Sequence, residues 1–326
     1  MAKRNLIEEL EAQQDTRSGW SGHMGASGEL TMLGRHLGRP AEASRAICQL
    51  VPIRVVACIE GCLKSATAEL INHGDPFRSN ARKIFQQIKM DFDVVRALLE
   101  DRVSLGEFVA NSVGWHDVNE CAARMTAILG FDFLDRLRTI EDRWAAEIEK
   151  KPRRPIIDDL GAVLSSIGDA LKLRHVLCHE IALAQAVEES DANRMLAAGI
   201  AFTDAASWVV AETLHPGAPL TQTDMNIAAG RGFTEADEKL GIEVTKLLEK
   251  LDDEDKGLLR ASQDAWIVYR KSFSELEGNA AKGGTLRPTL YASAAAAVTE
   301  QRILELQESI RHEGLGGRTR RRRRPR

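Results

Sequence analysis

The chain has 326 residues, enough for two domains of ordinary size, and carries a net charge of −4. Its composition, 44% hydrophobic with nine prolines and 5% aromatic residues, is that of a globular protein. Alanine and leucine outweigh the β-branched residues, and unbranched side chains lose little rotamer freedom in a helix, so we expect an all-α fold. The sequence has no apolar run of the roughly 18 residues that a membrane span needs and no signal-peptide pattern at its start. We therefore expect a cytoplasmic protein without a membrane partner.

Residues 1–40 are weakly patterned, and we predict a flexible segment there. A strong helix is predicted from Pro52 to Ile71, because proline is favoured in the first turn of a helix. Five apolar residues in this stretch recur at spacings of three and four, which indicates one buried face: Val56, Ile59, Leu63, Ala66 and Leu70.

Further helices are predicted up to the segment His215–Pro219, where two prolines and a glycine cannot continue a helix. This segment separates two predicted helical domains, residues 41–214 and residues 220–312. The predicted helices of the first are 79–101, 119–128, 131–149, 156–189 and 191–212. In the second, 224–251 and 291–311 are predicted helices, and a stripe between them steps by three and four: Leu259, Ser262, Trp266, Tyr269, Phe273 and Leu276.

The end of the chain is strongly basic. Gly314–Arg326 contains seven arginines and no acidic residue, so the rest of the chain is more acidic than the total by seven charges. Such a segment repels itself and buries no apolar surface, and we predict a disordered tail over residues 313–326. Five of its arginines are candidates for RNA binding through phosphate groups, with a merely solubilising tail as the alternative: Arg320, Arg321, Arg322, Arg323 and Arg324.

The stretch Leu171–Glu180 is the candidate for chemistry. It places Arg174, His175 and His179 in an apolar helix, where charged groups are costly unless they face solvent, a partner or a site. A guanidinium can hold a phosphate and an imidazole can transfer a proton near neutral pH, without a metal or cofactor. In an ideal helix the two side chains would lie about 140° apart, so they converge only if the arginine reaches around, the helix distorts or two copies meet.

These residues resemble the Arg-x4–6-His motif of HEPN domains, which are helical proteins of prokaryotic toxin, defence and RNA-processing systems. The predicted helix Pro52–Ile71, with Arg54 and Glu60 in an apolar run, resembles an early helix of that family. The resemblance implies a helical-bundle homodimer with a composite site that cleaves RNA by attack of the 2′-hydroxyl, leaving a cyclic phosphate. It implies Arg174 and His179 as catalytic residues, with His175 in support and Glu60 in an orienting role.

The same side chains could also have purely structural roles. Arg174 and His179 are compatible with ordinary surface or core positions. His175 and His179 share a helix face that suits zinc, although no third or fourth ligand is evident, and we predict no metal. Cys178 and the other four cysteines are expected to be small buried hydrophobes in a reducing compartment, because they show no CxxC pairing.

The second domain resembles LprI-like lysozyme-inhibitor domains. The resemblance rests on six groups of residues in the order found there: Thr221–Asn226, Ala236–Leu240, Ala261–Trp266, Tyr269–Arg270, Gly283–Gly284 with Pro288, and Thr299–Arg302. Those exported domains usually carry cysteines where this chain has Ala228, Ser274 or its neighbours, and Ala294 or Ala295. Lysozyme inhibition is therefore not our leading expectation, since disulfides are absent and the target would lie outside the cytoplasm.

The expected protein is thus a HEPN-type endoribonuclease, a toxin or phage-defence effector, followed by a smaller LprI-like helical domain. Its expected partners are RNA, a second copy of the chain and a cognate antitoxin or defence protein. The alternative is a non-catalytic helical scaffold for dimerisation or partner binding, which the acidic body favours because RNA-binding surfaces are usually basic.

Overall fold

The structure, a computed structural model, describes residues 6–14, 25–35, 37, 41–85, 88–115, 117–179 and 187–316. These residues are helices and connecting loops with no strand among them, and the one β-bridge, Glu141 with Pro155, is isolated. The expectation of an all-α protein is confirmed. The chain divides into two compact units, Met1–Gly217 (unit 1) and Ala218–Arg326 (unit 2).

Unit 1 contains twelve helices among the described residues. In chain order they are α1 Leu6–Gln14, α2 Ala26–Gly34, α3 Ala41–His73, α4 Phe77–Asn80, α5 Arg82–Phe85, α6 Phe92–Leu99, α7 Leu105–Ser112, α8 Val118–Leu129, α9 Phe133–Thr139, α10 Arg143–Glu147, α11 Leu160–His179 and α12 Glu189–Leu214.

The long helix α3 forms the centre of unit 1, where it packs against α2, α7, α11 and α12. All five residues of the predicted apolar stripe are buried, from Ile59 at 7% exposure to Leu63, Ala66 and Leu70 at 0%. The helix begins earlier than expected, at Ala41, so that Pro52 lies inside it and not in its first turn. The buried neighbours Cys48 and Val51 extend the apolar face on the N-terminal side of Pro52.

Several short helices replace the longer ones predicted at 79–101 and 131–149, whereas the helix predicted at 119–128 is present as α8. New helices begin where a side chain can cap them: Asp91, Ser104, Asp117, Asp132 and Asp142 each accept a hydrogen bond from a backbone N–H in the first turn that follows. Capping satisfies amide groups that the first turn leaves unpaired, which lets the chain turn and restart without a large penalty.

Part of the N-terminal segment predicted to be flexible is helical. In α1 and α2, Leu10 and Leu30 are buried at 1% and 0% exposure and belong to the core of unit 1. The prediction is wrong for these two helices because two or three apolar side chains in a short stretch give only a weak periodicity. The same few side chains are enough to stabilise a short helix once a core is present to cover them.

By length and composition, α12 is the one helix in the described part of the chain that is apolar enough to cross a membrane. However, 61% of its most apolar window is buried, and α12 packs on α3, α2 and α11. Gly199 allows the close approach, since a Cβ there would lie 3.0 Å from side-chain atoms of both Leu30 and Val55. The core helix of a soluble protein passes the same test of length and composition.

Unit 2 consists of three long helices: α13 Gln222–Leu248, α14 Asp253–Asn279 and α15 Arg287–Gly316. Helix α15 packs against both α13 and α14, and its backbone continues past the predicted end at Arg311. The apolar core is small, with Leu240, Leu247 and Leu306 at its centre. The predicted stripe on α14 is only partly correct, because Leu259, Trp266 and Phe273 are half-buried while Tyr269 and Leu276 are exposed.

The crossing of α3 and α7 gives a test of the packing in unit 1. At Gly106 an added Cβ would lie 2.2 Å from the backbone oxygen of Ala68, so we expect Gly106→Ala to destabilise the unit by about 1–3 kcal/mol. Gly61, in α3, has open space at its Cβ position, and Gly61→Ala should instead stabilise by about 0.5–1 kcal/mol. Urea unfolding followed by circular dichroism measures both. Equal midpoints for the two variants would contradict the close crossing.

Candidate functional site

The sequence-predicted motif lies in the last two turns of α11. This helix is anchored by its first half, where Ile167 and Ala170 are buried, and by Arg194 of α12. Arg194 donates hydrogen bonds to Ser166 Oγ at 3.0 Å and to an Asp169 carboxylate oxygen at 3.1 Å. The helix is therefore fixed before the motif begins, and its C-terminal half is less covered.

Arg174 and His175 differ in their surroundings. Arg174 is half-buried, and it forms no hydrogen bond or ion pair with any part of the chain that the structure describes. His175 is exposed and has an interaction partner. His179 is the last residue of α11. Its side chain, the predicted proton-transfer group, lies outside the described part of the structure. Since α11 is α-helical from Leu160 to His179, its backbone does not bring positions 174 and 179 onto one face.

Glu60 faces the apolar interior between α3, α8 and α11. It lines a cavity of only about 20 Å³ together with Leu63, Trp115, Cys121 and Leu171. A space of this size holds about one water molecule and no nucleotide. Glu60 thus approaches the same helix as the motif, one turn before Arg174, but the cavity that it lines there is too small for a substrate phosphate.

The cysteines of unit 1 are free thiols in different environments. Burial raises the pKa of the Cys62 thiol to about 12, and burial is also the main cause that raises the pKa of Cys121 to about 11. Both thiols are therefore protonated and unreactive at neutral pH. Cys178, beside the motif, is exposed, so its expected packing role is wrong; the reason is that α11 turns this position away from the core.

An open cleft of about 450 Å³ runs between α8 and α11, and sequence reasoning missed it. Asp117 and Asn119 line it from the start of α8, and Gly168, Leu171 and Lys172 line it from α11. These residues carry no motif that marks them in the sequence. They meet only because the two helices pack beside each other. Among the described residues, no group of three or more His, Cys, Asp or Glu side chains is arranged to hold a metal ion.

In unit 2, one arginine connects all three helices. Arg270 of α14 donates hydrogen bonds to the Asp237 carboxylate on α13 and, at 3.1 Å, to Thr299 Oγ1 on α15. Its guanidinium carbon lies 5.0 Å from the ring centre of Phe233 and 4.8 Å from that of Trp266. Only 14% of the Arg270 side chain is exposed, so these contacts form in a partly desolvated environment, where cation–π and charged hydrogen bonds are strengthened.

A second arginine, Arg302 on α15, joins α15 to α14 at a point closer to the N-terminal end of α14 than Arg270. It donates to Gln263 Oε1 and to Ser262 Oγ, both at 2.8 Å. At the start of the unit, the Gln222 side-chain amide donates to Thr289 Oγ1 at 2.9 Å, and that hydroxyl in turn donates to Asn226 Oδ1. Polar side chains thus fasten the bundle at three levels.

The residues in these bonds are largely those that carry the resemblance of the second domain. Residues 216–306 match the protein family described as "Lysozyme inhibitor LprI". An uncharacterized protein of Rhizobium meliloti (strain 1021) is 31% identical over 102 residues, and the match covers 27% of this chain and 73% of that relative. The chain belongs to the LprI family through unit 2. No solved structure is significantly similar to the chain.

The LprI unit holds its helices together without disulfides. Ser274 and Ala295, two of the positions where a cysteine was expected from the family, are buried at 0% and 1% exposure, whereas Ala228 is exposed. Ser274 Oγ donates to the backbone oxygen of Arg270 at 2.8 Å, so this position takes part in the same polar framework. The predicted RNA-binding residues Arg320 to Arg324 lie outside the described residues.

We expect Arg270→Ala to destabilise the LprI unit by about 2 kcal/mol, because it removes two hydrogen bonds and the packing between two aromatic rings. Arg270→Lys should recover little of this loss, since an ammonium group lacks the planar fork that reaches both partners. Thermal unfolding of the full chain followed by circular dichroism measures the effect as a lower midpoint. Arg231→Ala, an exposed arginine on α13, is the matched control and should change little. Equal stability of the Ala and Lys variants with the wild type would rule out this role.

Proposed function

We propose that the protein is a metal-independent endoribonuclease of the HEPN type that acts in the cytoplasm as a toxin or defence effector. The observation that carries the proposal is Arg174, a half-buried arginine on an apolar helix without a hydrogen-bond or ion-pair partner in the described residues. A charged group pays part of its desolvation cost in such a position, and a bound phosphate would offset that cost.

The proposed reaction begins with attack of the ribose 2′-hydroxyl oxygen on the adjacent phosphorus. A histidine accepts the proton of the 2′-hydroxyl, the bond from phosphorus to the 5′-oxygen breaks, and that oxygen receives a proton, leaving a 2′,3′-cyclic phosphate. Arg174 stabilises the negative charge that develops on the phosphoryl oxygens. His179 transfers the proton, and His175 supports the pair from the adjacent position.

A second copy of the chain is part of this proposal. Because α11 is a regular helix, one copy keeps positions 174 and 179 on different faces, and two copies of α11 side by side provide both groups at one phosphate. The RNA would lie across two α11 ends, with the arginine tail as an additional contact for the phosphate backbone. Glu60 has only a positioning role in this proposal, which it exerts through the part of α11 that lines the same small cavity.

Cleavage of total cellular RNA by the purified chain in excess EDTA tests the proposal. We expect discrete products with cyclic phosphate ends from the wild type and a loss of at least about a hundredfold in rate for Arg174→Ala and His179→Ala. Lys172→Ala is the matched control, because this exposed cation lies on the same helix and already pairs with Asp169 at 3.7 Å. No cleavage, or equal cleavage by all four proteins, would refute the ribonuclease.

The family of unit 2 favours a second candidate function, a non-catalytic scaffold that binds a protein partner. That family is described as an inhibitor of lysozyme, which makes lysozyme the first protein to test. The full chain is mixed with lysozyme, and the hydrolysis of a cell-wall suspension is followed by turbidity. If the protein is a scaffold of this kind, the Arg174→Ala variant should slow hydrolysis as well as the wild type does. The Arg270→Ala variant should not slow it. Hydrolysis at the uninhibited rate would exclude lysozyme as the partner.

A further inference from the structure

Helix α14 exposes an apolar stripe on the side opposite its packed face. Four large side chains are strongly exposed: Leu258 at 65%, Val268 at 66%, Tyr269 at 54% and Leu276 at 66%. Ala261, Ala265 and Ser272 lie between them and are also exposed. These residues recur at steps of three and four along five turns, which is the pattern of a helix that packs against another helix.

The folded chain has a separate face of α14 for its own packing. Leu259, Gln263, Trp266, Arg270 and Phe273 are half-buried and turn toward the other helices of the unit. The stripe is therefore additional to the intramolecular face. Its aromatic member is also held in place, since the Tyr269 and Phe273 rings are stacked with centres 5.9 Å apart and an angle of 24° between their planes. An ordered ring loses little entropy on binding.

The charges beside the stripe suit a second copy of α14 that runs in the opposite direction. Four exposed residues flank it on one side, in the order Arg260, Asp264, Lys271 and Glu275. If two such helices pair antiparallel with their centre beside Ile267, Asp264 of each faces Lys271 of the other, and Arg260 faces Glu275. Within the described part of the chain, none of the four forms an ion pair.

In the same antiparallel pair, the apolar residues of the stripe are arranged around nearly the same centre as the four charged residues. In that register Leu258 faces Leu276 of the second copy, and Ala265 faces Tyr269, so that each large side chain meets either another apolar residue or a small one. Small residues allow two helices to approach closely. A parallel pair would set Asp264 near Tyr269 and Lys271 near Leu276 and would pair no opposite charges.

We propose that the chain forms a homodimer through its LprI unit, with two α14 helices packed antiparallel along the stripe Leu258–Leu276. The surface is that of a single helix face, at the small end of specific interfaces, so the dissociation constant is expected on the order of 10 µM. This dimer does not depend on the ribonuclease site, which lies on α11. It would, however, tether two copies of unit 1 and raise their concentration relative to each other.

Sedimentation velocity of the full chain between about 1 and 100 µM, spanning the expected dissociation constant, tests the proposal. The wild type should shift from monomer to dimer over this range. Asp264→Lys places two lysines opposite each other at two points along the pair and should weaken the dimer about tenfold. The double variant Asp264→Lys with Lys271→Asp reverses both charges and should restore wild-type association, which only an antiparallel register explains.

Two further variants separate the stripe from general surface hydrophobicity. Leu258→Ser with Leu276→Ser should weaken the dimer more than tenfold, at unchanged helical content by circular dichroism. Ile242→Ser, which removes an exposed apolar side chain of α13 at 55% exposure, should leave association unchanged. A chain that stays monomeric throughout the range, or a dimer that ignores the charge reversals, would overturn the proposal. Either result leaves the test of RNA cleavage unaffected.

Discussion

Burial of the apolar face of α3 is the interaction on which unit 1 depends. The helix is 33 residues long and contacts six other helices among the described residues, so its buried side chains form the centre of one continuous core. Each fully buried leucine or valine contributes about 1.5–3 kcal/mol relative to an exposed one, and no other element of the unit offers as many. Helices α11 and α12 take their positions from α3, and the proposed site takes its position from α11.

The LprI unit is stabilised in a different way. Its central apolar cluster is small, and its three helices are joined by polar side chains at several levels, with Arg270 between Phe233 and Trp266 in the middle. Directional bonds of this kind specify the register of the helices, whereas apolar contacts alone tolerate sliding. The same bonds explain why residues as polar as Gln222, Asn226 and Arg302 carry the family resemblance although none of them forms a catalytic group.

The two functional proposals use surfaces of different origin. At the end of α11, Arg174 lies on a helix whose first half is fixed in the core, and its lack of a described partner is the basis of the proposed phosphate binding. On α14, the polar framework occupies one face and leaves a second apolar face outward. The proposed dimerisation by α14 and the proposed catalysis by α11 therefore use different helices, and each proposal has its own test.

The sequence by itself determined the all-α class and the buried face of α3, because a repeat of three and four residues reports which side of a helix is apolar. It also determined the family of unit 2, because that resemblance rests on side chains whose bonds hold the bundle. The sequence did not predict that the short helices α1 and α2 would pack into the core of unit 1 or that Glu60 would line a cavity of about 20 Å³. It also did not predict that Tyr269 and Leu276 would remain exposed. Those outcomes depend on which neighbour covers a given face. A periodic pattern shows that a helix has an apolar side, and only the tertiary packing decides whether this chain or another molecule covers it.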